Sequence, residues 1–268
     1  IRCNQYIKFD ALLKKAKSLG AQFIATGHYA RIEFDEIRQK YLLRKSYDLR
    51  KDQSYVLYTM TQAQLKHTLM PLGNLTKEKV RKLAREWKLG VADKPESQEI
   101  CFIPDGNYGK YLREYLPEAI KTGPILNKEG KILGGHKGIL FYTIGQRKGM
   151  GIAAGEPLYV VAIDRERNAI IAGKEEDIYA DELIATRINY IDGRKLTKPI
   201  EVKAKIRYSA REAKAILIPE GEDKVQLKFR QPQRAITPGQ AVVFYRGEEV
   251  IGGGIISVSY THLTLPTN

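Results

Sequence analysis

The apolar residues of this chain change period along its length, and that change rules out a fold built from one class of element. In the first third Phe9, Leu12, Leu13, Ala16 and Leu19 recur at helical spacing, with Gly20 where a helix is expected to stop. Phe23-Ile24-Ala25-Thr26-Gly27 then reads as a short buried strand closed by glycine, and Thr61 with Gln64 as a capping box opening another helix. Val80, Leu83, Ala84 and Trp87 form the apolar face of the next helix, closed by Gly90. This helix–strand–glycine order suits a doubly wound α/β domain, whose ligands sit at the carboxyl ends of its strands. In the last third the period falls to two. Ile200, Val202, Ala204 and Ile206 alternate with Glu201, Lys203, Lys205 and Arg207, and Val225, Leu227 and Phe229 with Gln226 and Lys228. These are strands with one apolar and one largely basic face. Further short strands at 241–245 and 250–256, separated by turn signals such as Pro238-Gly239, predict a small β-barrel. Between the two, glycines crowd together from Gly134 to Gly155 among short apolar runs, the texture of a small, turn-rich connecting domain. The expected divisions are 1–107, 108–174 and 175–257.

The 268 residues are enough for one large domain or two to three small ones, each able to bury a core. Lys and Arg number 45 against 31 Asp and Glu, a net charge of +14. Such an excess attracts polyanions, of which nucleic acid is the commonest large one; an anionic membrane surface, or plain solubility, also answers to charge alone. No apolar run approaches the length of a membrane span, and the start lacks the basic-then-apolar order of a signal peptide. Cys3 and Cys101 are the only cysteines, too few for a disulfide-stapled secreted domain, so a reducing cytoplasm is expected. Neither lies in a CxxC pair, and the four histidines show no ligand spacing, which argues against structural zinc. Two cysteines in a cytosolic protein are, on composition alone, most often inert core thiols. The chain opens on Ile1 rather than Met, with a helix within a few residues, so upstream sequence is expected. Residues 258–268 read as the in-frame translation of a sequencing adapter and are set aside from function.

The chemistry is carried by short segments. Cys3-Asn4-Gln5-Tyr6-Ile7-Lys8-Phe9 is followed by Ala25-Thr26-Gly27-His28-Tyr29, Lys51-Asp52-Gln53-Ser54-Tyr55 and Glu99-Ile100-Cys101-Phe102-Ile103. Gly145-Gln146-Arg147-Lys148-Gly149 and Thr237-Pro238-Gly239-Gln240 come later. In this order and spacing they resemble the tRNA-specific 2-thiouridylase (tRNA uridine 2-sulfurtransferase) family, over the whole chain up to about Ser257. The resemblance implies an α/β fold in three parts. A partial ATP-pyrophosphatase domain of the adenine nucleotide alpha-hydrolase kind comes first, then a small central domain and a C-terminal β-barrel. It implies ATP-dependent replacement of the 2-oxygen of a wobble uridine by sulfur, with Mg²⁺ accompanying the nucleotide.

Carried over by motif, Cys101 takes a persulfide from a sulfur carrier or cysteine desulfurase, and Cys3 is the nucleophile that resolves it, leaving a Cys3–Cys101 disulfide or releasing sulfur. Gly27 would let the backbone approach ATP. His28, Lys51, Asp52, Gln53, Arg207, Tyr208 and Gln240 would contact tRNA, the lysine through phosphate, the amide and carboxylate through ribose or base edges, and Arg207 and Tyr208 by stacking. The family's Gly-rich nucleotide loop and an acidic residue precede its first cysteine, and both are expected upstream of Ile1. Gly145 to Gly151 lacks the lysine-then-hydroxyl ending of a P-loop and is not assigned to ATP; Arg147 and Lys148 there either touch RNA or merely flank a turn. Lys77, Arg81, Arg85 and Lys88 make a basic stripe that follows RNA backbone or faces solvent. A non-catalytic RNA-binding module with structural cysteines, and an amide-forming ligase of the same ATP-pyrophosphatase kind, remain the competing readings.

Overall fold

The structure, a computed structural model, describes residues 1–93, 103, 106–152 and 155–259. Cys101 and residues 260–268 lie outside the described residues. The chain opens with a π-helical stretch, Cys3–Ala11, that runs straight into α1, Leu12–Ser18. Phe9 and Leu13 turn inward and are buried, whereas Leu12 and Leu19, expected on the same apolar face, are exposed. The reason is geometric: the wider π turn ahead of α1 shifts the facing positions away from a strict 3.6-residue repeat.

The strand expected at 23–27 is short, β1 at Ile24–Ala25. An antiparallel hairpin follows, β2 (Ala30–Asp35) and β3 (Lys40–Lys45), in register from Ala30↔Lys45 to Asp35↔Lys40. This hairpin departs from the expected helix–strand alternation. Its turn is held by Asp35, whose Oδ1 accepts from the backbone N–H groups of Ile37 and Arg38 at 3.0 and 2.9 Å. The Thr61 capping box opens α2 (Gln62–Lys66) as expected, and β4 (Thr68–Leu69) pairs in parallel with β1. α3 spans Lys77–Glu86 under a Thr76 cap. Its apolar face is only half-buried, and Trp87 is exposed. Nor does Gly90 close it. Lys88 takes the left-handed conformation at φ 53°, with Leu89 N–H on the Ala84 carbonyl and Lys88 N–H on that of Arg85, a Schellman end two residues early.

In the central part, α4 (Tyr108–Tyr115) precedes a four-stranded sheet of β5 (Gly123–Leu126), β6 (Ile132–His136), β7 (Tyr159–Asp164) and β8 (Ala169–Gly173), in the order β6-β5-β8-β7. Ile125, Tyr142, Met150, Val160, Ile170 and Ala172 form its core. The last part is a barrel of six strands: β9 (Tyr179–Tyr190), β10 (Ile200–Lys205), β11 (Ala213–Pro219), β12 (Lys224–Arg234), β13 (Ala241–Arg246) and β14 (Glu249–Ser259). Pairing of β13 with β14 closes it. The alternation at 200–206 holds, with Val202, Ala204 and Ile206 buried. β10 ends at Lys205, however, so Arg207 and Tyr208 stand in the turn beyond the strand rather than on it. β14 runs two residues past Ser257.

Ile1–Lys94, Glu182–Gln231 and Pro238–Val258 form one compact unit; the central part belongs to a second. In the first unit the opening segment and the barrel share a core. Phe9, Leu13, Leu43, Tyr55, Leu57 and Tyr58 pack with Val243, Tyr245 and Val250 from the outer face of β13 and β14. Polar groups reinforce the seam: Asn189 Nδ2 donates to the carbonyls of Tyr58 and Met60, and Gln62 Nε2 to those of Tyr41 and Ile191. β3 also meets β14 at Arg44↔Glu249, so hairpin and barrel share one sheet. Gly253 shows how tight this seam is, since a Cβ there would stand 2.6 Å from the Tyr58 ring and 2.6 Å from the Val242 carbonyl oxygen.

Candidate functional site

The end of β1 opens into a cleft of about 420 Å³ lined by Lys8, Leu12, Thr26, Gly27, His28 and Gln53 along with the strand itself. A parallel strand pair ends here, the usual place for a ligand in an α/β domain. Gly27 has an ordinary backbone conformation, and a Cβ on it would meet only Leu72 Cδ1, at 3.6 Å. Neither turn geometry nor protein packing demands glycine at this exposed position. What glycine adds is bare backbone facing the cleft, which fits close approach of a nucleotide.

His28 is buried beside Phe9, their rings 5.7 Å apart. Burial, aided by the positive charge of Lys8, pushes its pKa down to about 4, so the imidazole is neutral at physiological pH. Thr26 Oγ1 accepts from the His28 backbone N–H at 3.1 Å and lies 2.5 Å from Nδ1. The Thr26 hydroxyl and Nδ1 thus share a hydrogen bond whose direction follows the imidazole tautomer. Neutral His28 carries one donor and one acceptor nitrogen.

Gln53 is locked to the same segment: its Oε1 accepts from Tyr29 N–H at 2.9 Å, and its own N–H donates to the Tyr29 carbonyl at 2.8 Å. Asp52 is engaged within the protein. Its Oδ1 accepts from the N–H groups of Ser46 and Ser54, and its Oδ2 from the Ser54 hydroxyl at 2.7 Å. The carboxylate thus shapes the loop, and Lys51 and Gln53 are held on either side of it. Tyr208 reaches across from the barrel, its hydroxyl donating to the Asp52 carbonyl at 3.2 Å. Tyr55 and Tyr208 meet edge to face at 6.0 Å, with Lys205 Nζ over both rings at 5.8 and 5.7 Å. Tyr55 in turn donates to the Ala241 carbonyl at 2.8 Å, next to the exposed Gln240.

The sequence-derived residues of the first unit therefore form a connected series. Gly27, His28 and Gln53 line one cleft, and the 51–53 loop is bonded to the 207–208 turn. Cys3 is a free, exposed thiol on the π-helical stretch that also supplies Lys8. The basic stripe on α3 is partly engaged, with Arg85 paired to Asp93 at 2.7 Å and Lys77 Nζ over the Tyr29 ring at 5.6 Å. Lys8, Thr26, Tyr55 and Lys205 are participants that the motifs contain or adjoin but that sequence reading left without a role. Lys205 had a visible signal, as a basic outward residue two positions before Arg207. Among the described residues, no group of three or more His, Cys, Asp or Glu side chains is placed to hold a metal, and no helix is long and apolar enough to cross a membrane.

Comparison with known proteins converges on the same assignment. Residues 1–105 match the family model described as a tRNA methyl transferase HUP domain, 109–174 that of a tRNA methyl transferase PRC-barrel domain, and 180–256 that of an aminomethyltransferase beta-barrel domain. The tRNA-specific 2-thiouridylase MnmA of Clostridium acetobutylicum is 56% identical over 256 residues, covering 96% of this chain and 72% of that protein. MnmA 1 of Caldanaerobacter subterraneus subsp. tengcongensis is 57% identical over 95% of this chain and 70% of its own length. The Acetivibrio thermocellus protein of the same name is 54% identical, over 96% and 71%. With a HUP domain, a central domain, a closing barrel and this identity throughout, the chain belongs to the tRNA-specific 2-thiouridylase family.

Proposed function

We propose that this chain carries out the tRNA-binding and sulfur-transferring part of an ATP-dependent 2-thiolation of a wobble uridine. The observation that supports this most is the joining of the Gly27–His28–Gln53 cleft to the Asp52–Tyr208 contact, in a chain whose relatives are named for that reaction. The bare backbone at Gly27 would hold ATP, which when bound, with Mg²⁺ as its counterion, would supply the activation that makes the uridine 2-oxygen a leaving group. Neutral His28 presents its imidazole to the RNA at the cleft without the desolvation cost of a buried cation. Lys51, Arg207 and Gln240 hold the tRNA around it.

For sulfur, Cys101 accepts a persulfide from a donor protein. The outer persulfide sulfur bonds to C2 as the activated oxygen departs. The Cys3 thiolate then attacks the Cys101 sulfur, breaking the sulfur–sulfur bond to free the thiouridine and leaving a Cys3–Cys101 disulfide. A dithiol reductant must return that disulfide to two thiols before the next turnover. The exposure of Cys3 suits a thiol that must be reached.

Sulfur loading of the intact enzyme, read by mass spectrometry of its peptides, tests these roles. Cys101→Ser should abolish persulfide labelling, and Cys3→Ser should retain persulfide on Cys101 while halting turnover. Persulfide confined to Cys3 would reverse the assignment. The product's mass also separates thiolation from the methyl transfer named in the family-model descriptions, since exchanging oxygen for sulfur and adding a methylene change it differently.

A further inference from the structure

On the outer face of the barrel, β10, β11, β12 and the end of β13 enclose a cleft of about 280 Å³. Lys203, Lys214, Arg230 and Arg246 line it, with Glu201 the single carboxylate. Glu201 is matched by Arg230 at 2.6 Å. Lys203, Lys214 and Arg246 are all exposed and have no ion-pair partner among the described residues. Two of these cations also stand in an unfavourable arrangement. Lys203 and Lys214 are directly opposite one another in the antiparallel β10–β11 ladder, a register in which like charges repel. Nearby lysines on the same outer surface do have carboxylates: Lys228 meets Glu182 at 3.0 Å, and Lys45 pairs with Glu212. The fold thus neutralises its surroundings and leaves this spot positive.

Strand β10 links this cleft to the contacts already described. Strand alternation puts Lys203 on the same side of β10 as Lys205, the lysine that lies over the rings of Tyr55 and Tyr208.

We propose that Lys203, Lys214 and Arg246 bind phosphates of the tRNA backbone, carrying the interface outward from the Asp52–Tyr208 contact along the barrel wall. This rests on the proposed tRNA substrate and adds a backbone-tracking site that reads charge and not sequence. Cations held near one another at a cost to the folded state recover that cost when phosphates enter between them and counterions leave.

The test compares three forms of the intact enzyme: wild type, the triple variant Lys203→Ala/Lys214→Ala/Arg246→Ala, and a charge-matched control, Lys121→Ala/Lys131→Ala/Lys195→Ala. Affinity for an unmodified tRNA transcript is measured across a salt series, and thiolation is measured at saturating tRNA. The triple variant should flatten the plot of log affinity against log salt by about three, one per lost phosphate. KM for tRNA should rise at least tenfold, kcat should hold, and the melting temperature should stay level or rise as the Lys203–Lys214 repulsion is removed. The control should keep the wild-type slope. An unchanged slope in the triple variant, or an equal loss in the control, overturns the proposal while leaving the thiolation reading in place. If wild type neither binds nor thiolates the transcript, the underlying reading fails instead.

Discussion

At the scale of single residues, His28 and Gly27 separate what the fold needs from what a ligand needs. His28 stays neutral in the folded protein down to about pH 4, whereas in the unfolded chain it titrates near its ordinary 6.5. The unfolded chain therefore takes up its proton first. The contribution to stability is complete above pH 6.5 and is lost as pH falls through 4, a total on the order of 3 kcal/mol. Thermal melts of wild type and His28→Gln between pH 7.5 and 4.5 should converge as pH falls; parallel curves would mean the imidazole is not buried as described. Gly27→Ala should leave the melting temperature within a degree or two, because its Cβ has room beside Leu72, yet raise KM for ATP roughly tenfold, an effect on the order of 1.4 kcal/mol. Unaltered ATP kinetics would show that the nucleotide passes elsewhere. The motifs pointed to both residues, but not to the state of His28. That state arises from Lys8 and Phe9, which precede it by about twenty residues and reach it only through the packing of the π-helical stretch on β1.

At the scale of elements, period-two alternation made the barrel strands legible, because each buries one face and wets the other. The capping box at Thr61 was equally local and equally readable. The β2–β3 hairpin and the early end of α3 were not. The hairpin's turn uses an Asp35 side chain in place of glycine, and α3 closes on left-handed Lys88, so neither bears the usual residue signal. The contact between the 51–53 loop and the 207–208 turn was beyond any local reading, since it joins positions 156 apart. Tyr208→Phe tests it, keeping the ring against Tyr55 and Lys205 while removing the hydrogen bond to Asp52. Loss of one such bond should weaken tRNA binding about three- to tenfold in equilibrium titrations. Unchanged affinity would reduce the bond to a packing detail. Gly253→Ala probes the neighbouring seam: its Cβ must displace the Tyr58 ring, costing about 1–3 kcal/mol in chemical denaturation. A neutral result would mean that the opening segment is not pressed against β14 as the distances require.

At the scale of the whole molecule, the chain's three family segments resolve into two compact units, because the first and third segments share a core. Sequence texture divided the chain by local composition and had no means of reporting that two distant stretches bury the same side chains. The joining of β3 to β14 carries a consequence for how the protein is made. A ribosome delivers Tyr55, Leu57, Tyr58 and Met60 well before β13 and β14, the strands that cover them, which lie far later in the chain. Throughout that interval the nascent opening segment presents an apolar face and an unpaired strand edge. Interrupted synthesis therefore leaves a product whose exposed surface distinguishes it from the finished enzyme, open to proteases and chaperones before it can occupy tRNA unproductively.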